Sequence, residues 1–272
     1  MSYSRSFGGR TVLITGASSG IGAELARELA RRGAHLLLLA RRMDRLQTLA
    51  AELRSQGNEV VVAEADVTRE GDVARALTLA PGARIDVVVA NAGFGVAGPI
   101  QQLTLADYRR QYETNVFGVL RTIYETLEAM RASRGQLVIL GSVAGYAAMP
   151  GASAYASSKF ALRGLAEAIR GDLARDGIRV TLVSPGFVDS DIRRTDNRGA
   201  LHAEAPDPIP GWLRVPTARA ARVIVSAVAR GRAEIVVTGH GKLIVFLVRH
   251  FPWLVRLAML RGGVHGRTEP RG

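Results

Sequence analysis

Cysteine is absent from the 272 residues. Disulfides, thiolate nucleophiles, iron–sulfur clusters and cysteine zinc sites are excluded with it. Lysine is almost absent: of 36 basic residues only Lys159 and Lys242 are Lys, and the rest are Arg. Where a bare positive charge suffices this chain uses Arg, so a retained Lys marks a place that needs a compact, titratable ammonium. No uncharged apolar stretch reaches the roughly 18 residues of a spanning helix, so none is expected. No apolar core of signal-peptide length precedes residue 11, and a cytoplasmic location is the expectation. The histidines at 35, 202, 240, 250 and 265 are scattered without metal-ligand spacing.

What is present describes an ordinary globular chain. Apolar residues make up 47% and charged residues 22%, which excludes disorder and low complexity. The net charge of +12 raises nucleic acid as a partner. The basic residues, however, run along the whole chain with no dense block and no interleaved aromatics, so no nucleic-acid contact is expected.

Short apolar runs alternate with helical periodicity. Strands are predicted at 11–15, 35–40, 60–63, 85–90, 136–141, 179–183 and 234–237. Helices are predicted at 21–32, 44–56, 69–79, 104–131, 153–175 and 217–230, with Thr104 and Asp107 as a capping pair. Near-continuous apolar strands separated by helices imply a doubly wound α/β fold: a Rossmann-type, seven-stranded parallel sheet with helices on both faces. Residues 1–272 read as one dinucleotide-binding and catalytic domain. Within it, the irregular 186–215 segment reads as a substrate loop and 239–272 as an apolar, basic extension.

Chemistry concentrates in three places. After the first strand comes TGASSGIG, residues 15–22, where glycines let backbone approach a pyrophosphate at a helix N-terminus. After the second strand, Ala40 stands where an NAD-binding domain places an acidic residue, and Arg41 and Arg42 follow. An Arg fork pairs with a 2′-phosphate that a carboxylate would repel, so the pattern favours NADP(H); surface arginines at a helix start are the bland alternative. Third, Tyr155 and Lys159 are spaced i, i+4 on one helix face, with Ser142 ending the fifth strand. Bringing a phenol from near 10 to about 7 requires roughly 4 kcal/mol, a task for a nearby ammonium and a nicotinamide cation. Ser142 would donate to the substrate oxygen as charge develops there.

These elements together resemble the short-chain dehydrogenase/reductase family, compact single-domain type. The resemblance spans residues 10–238: TGASSGIG, Asp66 with Val67, NAG at 91–93, Asn115, Ser142, YASSK at 155–159, and Ser184, Pro185 and Gly186. It implies that Gly16, Ser18, Ile21 and Gly22, with Ser19 and Gly20 in the same turn, cradle the cofactor phosphates and ribose. It places Asp66 and Val67 at the adenine, and Asn91, Ala92 and Gly93 along the cofactor. Tyr155 would donate or accept the proton, and Ser142 would orient the carbonyl. Lys159 would hold the nicotinamide ribose and lower the Tyr155 pKa. Asn115 would hold a water relaying protons to Lys159. Pro185, Gly186, Val188 and Ser190 would close over the carboxamide, with Ser190 standing where the family often has Thr. A homodimer or homotetramer through the long helices is a further implication.

The expected activity is therefore interconversion of a ketone or aldehyde and an alcohol with NADP(H). Phe94, Tyr146, Met149 and Phe187 near the site suggest a hydrophobic substrate. An acyl-carrier ketoreductase and a non-catalytic NADP(H)-binding sensor or scaffold are the alternatives. The apolar stretch 242–260, with basic residues at 242, 249 and 256 and a break at His250 and Phe251, admits three readings. It is a lid or core-packing element, a subunit interface, or a peripheral membrane contact.

Overall fold

The computed structural model describes residues 7–80, 84–193, 195–197, 204, 207 and 209–261. Its frame is a seven-stranded, all-parallel sheet in the order β3-β2-β1-β4-β5-β6-β7. The strands are β1 (Thr11–Thr15), β2 (His35–Ala40), β3 (Val60–Glu64), β4 (Val87–Ala90), β5 (Gln136–Leu140), β6 (Arg179–Ser184) and β7 (Glu234–Val236). Parallel neighbours need crossovers, and the helices supply them on both faces.

Alternation along the strands assigns residues to the two faces. Val12 and Ile14 of β1 face one core with Leu25 and Leu29 of α1 (Gly20–Arg31), Leu46 of α2 (Met43–Ser55) and Ile224 of α7 (Thr217–Ala229). Leu13 faces the other core with Val73 of α3 (Asp72–Leu77), Ile123 of α5 (Gly118–Ser133) and Leu162 of α6 (Ser153–Ala174). Each such leucine contributes about 2 kcal/mol by leaving water. The chain winds outward from β1 in one direction through β3 and in the other from β4 to β7. The reversal between β1 and β4 opens a crevice at the carboxyl ends of the strands.

Two expected helices differ. The 104–131 stretch is not continuous: α4 (Leu105–Tyr112), with the Thr104–Asp107 capping box formed, gives way to a π turn over Glu113–Phe117 before α5. Gln111 at the end of α4 and Asn115 within the wider turn reach the same irregular backbone beyond β4. The 69–79 helix contracts to α3, because Gly71 adopts φ +81 at its start and Asp72 receives the Asp66 N–H instead of extending the helix. Beyond β7, α8 (Gly239–His250) and α9 (Pro252–Arg261) break at Phe251, as Pro252 requires.

Candidate active site

The crevice holds a cleft of about 470 Å3. Its floor is the turn after β1. Gly16 has φ +67, and a Cβ there would lie 2.8 Å from the Ala92 Cα; a Cβ on Gly22 would lie 2.4 Å from the Gly16 carbonyl oxygen. Only glycine permits this approach of α1 to the β1 and β4 ends. The Ser19 side chain makes no capping hydrogen bond and the first turn of α1 carries no acidic residue, so its N–H groups are left for an anion. Ser18, Gly20, Ile21, Asp66, Val67, Ala92, Gly93, Phe94 and Ser190 complete the walls among the expected residues. Thr15, Arg45, Thr114, Ile192 and Thr195 line it too and had not been expected.

Several expected residues do more structural work than the family resemblance implied. Asn91 donates its amide to the carbonyls of Thr15 (2.9 Å) and Gly16 (3.1 Å), tying β4 to the phosphate turn. The Thr15 hydroxyl receives the N–H groups of both Asn91 and Ala92 at 3.1 Å. Asp66 accepts the Thr68 N–H and hydroxyl, fixing the turn after β3. Arg41 and Arg42 both border the cleft, but it is Arg42 that reaches the phosphate turn, donating to Ser18 (3.1 Å) and Ser19 (2.8 Å). Arg41 is exposed and also borders a neighbouring hollow with Asp66, Arg69 and Asp72.

The opposite side of the crevice is built from side chains. Ser142 stands beside the Tyr155 phenol, and its own hydroxyl accepts the Ala144 N–H at 3.1 Å. Lys159, buried one turn further along α6, donates to the Leu140 carbonyl at 2.8 Å, and its ammonium lies 5.7 Å from the Tyr155 ring centre. Burial brings this ammonium down to about 8. Burial also pushes the Tyr155 phenol up, against the Ser142 hydroxyl and the charge of Arg193. The lowering anticipated from the sequence called on a nicotinamide cation as well as the ammonium. Gly95 bridges the two sides: a Cβ there would lie 3.6 Å from the Tyr155 ring and 3.7 Å from Ile192 of the cleft wall.

The wall between them is irregular backbone satisfied by helix side chains. Asn115 accepts the Phe94 N–H and donates to the Phe94 carbonyl and the Ser158 hydroxyl, which spends both of its amide protons. Any water held by this residue therefore meets Asn115 oxygen or backbone, not its NH2 group. Gln111, fully buried, holds the Val96 N–H (2.6 Å) and the Phe94 carbonyl (2.8 Å). It was missed from the sequence, although a buried Gln and Asn at i, i+4 is the available signal.

On the far side, the Pro185 carbonyl accepts the Val143 N–H, and Val188 is buried and bridged to Val215. Gly186 lies where a Cβ would meet the Thr238 hydroxyl at 2.3 Å, and Phe187 stacks on His240. Arg193, also missed, is clamped by both carboxylate oxygens of Asp207 and by the Val188 carbonyl. No periodicity marks a cation in an irregular loop. Tyr146 is not among the residues lining the cleft. It is buried against Val143 and Val245 of α8, donates to Glu234 at 2.6 Å and lies under the Arg163 guanidinium. Burial, then the Glu234 contact, push its phenol up to about 12.

Residues 10–200 match the family model described as short chain dehydrogenase. The chain belongs to the short-chain dehydrogenase/reductase family. It is accordingly an oxidoreductase of the alcohol–carbonyl type. Retinol dehydrogenase 8 of Bos taurus is 36% identical over 211 residues, 75% of this chain and 67% of that one. A short-chain dehydrogenase from Sphingobium yanoikuyae, solved with NADPH, superposes with a TM-score of 0.74 at 29% identity, covering 97% and 98% of the two chains. A family member from Burkholderia phymatum, solved with NAD, gives 0.80 at 24% identity over 98% and 99%, a likeness of fold.

Proposed function

We propose that this enzyme uses NADP(H) to interconvert a ketone or aldehyde and an alcohol on a hydrophobic substrate, with Tyr155 as the acid–base group. The observation that carries this reading is buried Lys159, tied to Leu140 at the end of β5, one turn from a Tyr155 ring that Gly95 separates from the cleft wall, with Ser142 beside the phenol. The residues present fit that cofactor. The uncapped start of α1 and the glycines beneath it take the diphosphate, and Arg42 with Ser18 and Ser19 forms a cationic, hydrogen-bonding corner for a 2′-phosphate. When bound, the nicotinamide supplies or takes up the hydride.

Every other step belongs to the chain. Ser142 orients the substrate oxygen and donates to it as negative charge grows, a contribution of about 3 kcal/mol for a donor of this kind. Tyr155 passes its proton to that oxygen in reduction and takes it back in oxidation. Lys159, held by Leu140, keeps a positive charge 5.7 Å from the Tyr155 ring centre up to about pH 8. Asn115 and Gln111 hold the wall over which the substrate passes. The 186–215 segment is read as a substrate loop of the same domain; residues 194, 198–203, 205, 206 and 208 of it lie outside the described residues, and among the described ones Arg193 is fixed near the phenol by Asp207. Phe94 and Ile192 on the wall, and the likeness to a retinol dehydrogenase, support an apolar substrate. Exposed Tyr124 on α5 and Phe160 on α6 support association of copies through these helices, as a dimer or tetramer.

Titration with NADPH and NADH, followed by nucleotide fluorescence, tests the cofactor assignment. NADPH is expected to bind roughly 10- to 100-fold more tightly, and Arg42→Ala to erase most of that gap without weakening NADH. Equal affinities in the wild type would remove the NADP(H) reading and leave the Ser142–Tyr155–Lys159 chemistry standing.

A further inference from the structure

α8 is docked by one face alone. Gly241 and Val245 are buried against Val143 and Tyr146, directly after catalytic Ser142. The opposite face presents Lys242, Leu243, Phe246 and His250, spaced i, i+1, i+4 and i+8, with Arg249 at its edge. Leu243 is 58% exposed and Phe246 51%. The apolar surface continues into α9: Phe246 meets Phe251 edge-on at 6.2 Å, and Trp253 is 64% exposed with Leu254 and Leu257 beside it. Isolated surface leucines are ordinary, but a run of large apolar and aromatic side chains over two successive helices is not.

Charge decides among the possible coverings. From residue 235 to residue 268 the sequence contains no Asp or Glu, while Lys242, Arg249, Arg256 and Arg261 fall within α8 and α9. Arg249 is partly spent on Glu234 (3.2 Å) and on the Tyr146 ring. A second copy of this face would set cation against cation. A lid would turn its apolar side inward, whereas here that side points away from the catalytic unit. Neither helix is long or apolar enough to cross a bilayer. Aromatic and leucine side chains mixed with long basic ones are the composition of a helix lying in a lipid headgroup layer, with the Lys and Arg heads reaching out to anionic phosphates.

We propose that the exposed face of α8–α9 docks this enzyme onto an anionic membrane surface. Docking lies in the plane of the interface and sets the segment beginning at Ser142 one helix away from the lipid, where an apolar carbonyl compound partitions. The proposal goes beyond the oxidoreductase reading and does not depend on it.

Co-sedimentation of the full chain with vesicles tests it. Binding to phosphatidylcholine vesicles with about one third phosphatidylserine is expected to exceed binding to pure phosphatidylcholine at least ~10-fold, and to fall in high salt. Phe246→Ser with Trp253→Ser should weaken it on the order of 100-fold, and Lys242→Glu about 10-fold. Both variants should bind NADPH as the wild type does, which separates lost docking from lost folding; Lys242→Glu serves if the double variant fails to fold. Absence of vesicle binding by the wild type would overturn the proposal. So would a wild-type dimer that the double variant converts to monomer, since the face would then join two copies. Loss of carbonyl turnover by the double variant in vesicle-free solution would overturn it in favour of a lid.

Discussion

The two sides of the crevice are made by opposite means. On the cofactor side, at the ends of β1, β2 and β4, the shape comes from absent side-chain atoms. Gly16 and Gly22 let backbone meet backbone, and Thr15 and Asn91 stitch the strand ends together. On the proposed catalytic side, at the end of β5 and the start of α6, the site is the side chains of Ser142, Tyr155 and Lys159, and burial shifts the protonation of the last two. A backbone site breaks when something is added, and a side-chain site breaks when something is taken away.

The largest effect on the backbone side should come from adding one carbon. In Gly22→Ala the new Cβ would press on the Gly16 carbonyl and on the Asn91 amide, whose nitrogen lies 2.6 Å away. Overpacking of this kind costs about 3 kcal/mol, a fall in Tm of roughly 5–10 °C. NADPH affinity should drop at least ~10-fold alongside it. An unchanged melt and an unchanged affinity would show that the turn is loose and that the contrast fails there.

The next effect belongs to the catalytic side and is electrostatic. Lys159 has an ordinary value of 10.5 and a folded value of about 8, so above pH 8 the unfolded chain holds a proton that the folded one has shed. Stability contributed by this group therefore rises with pH, by about 2 kcal/mol between pH 8 and 10, and chemical denaturation at stepped pH reads it. Beyond pH 10 the raised phenols of Tyr155 and Tyr146 act in the opposite direction, because they stay protonated when folded. Lys159→Met should flatten the rise; a rise that survives the substitution would place its origin elsewhere.

The smallest effect sharpens the boundary of the catalytic side. Tyr146→Phe removes the bond to Glu234 and should cost about 1 kcal/mol of stability while leaving kcat and KM for an apolar aldehyde unchanged. A changed KM would return Tyr146 to the substrate site.

The same contrast explains what was legible in the sequence. Glycine spacing after β1 and the Tyr155–Lys159 spacing on α6 are local signals, and both sides of the crevice followed from them, as did the order of elements that builds the sheet. Contacts across the fold were not legible. Nothing in the dipeptide at 41–42 says that Arg42 turns toward Ser18 while Arg41 faces outward, because that depends on where α2 starts. Tyr146 is close to Ser142 in sequence, yet α8 arrives to bury it from a hundred residues away. The π turn at Asn115 is likewise set by what Gln111 and Asn115 grip, not by helix propensity.

The most direct measurement compares NADPH affinity and single-turnover reduction of an apolar aldehyde in the wild type and in Tyr155→Phe. The account predicts that the variant binds NADPH within about 2-fold of the wild type while the rate of NADPH oxidation falls at least ~1000-fold, about 4 kcal/mol. Turnover by Tyr155→Phe at a wild-type rate would contradict the assignment of the proton to this phenol.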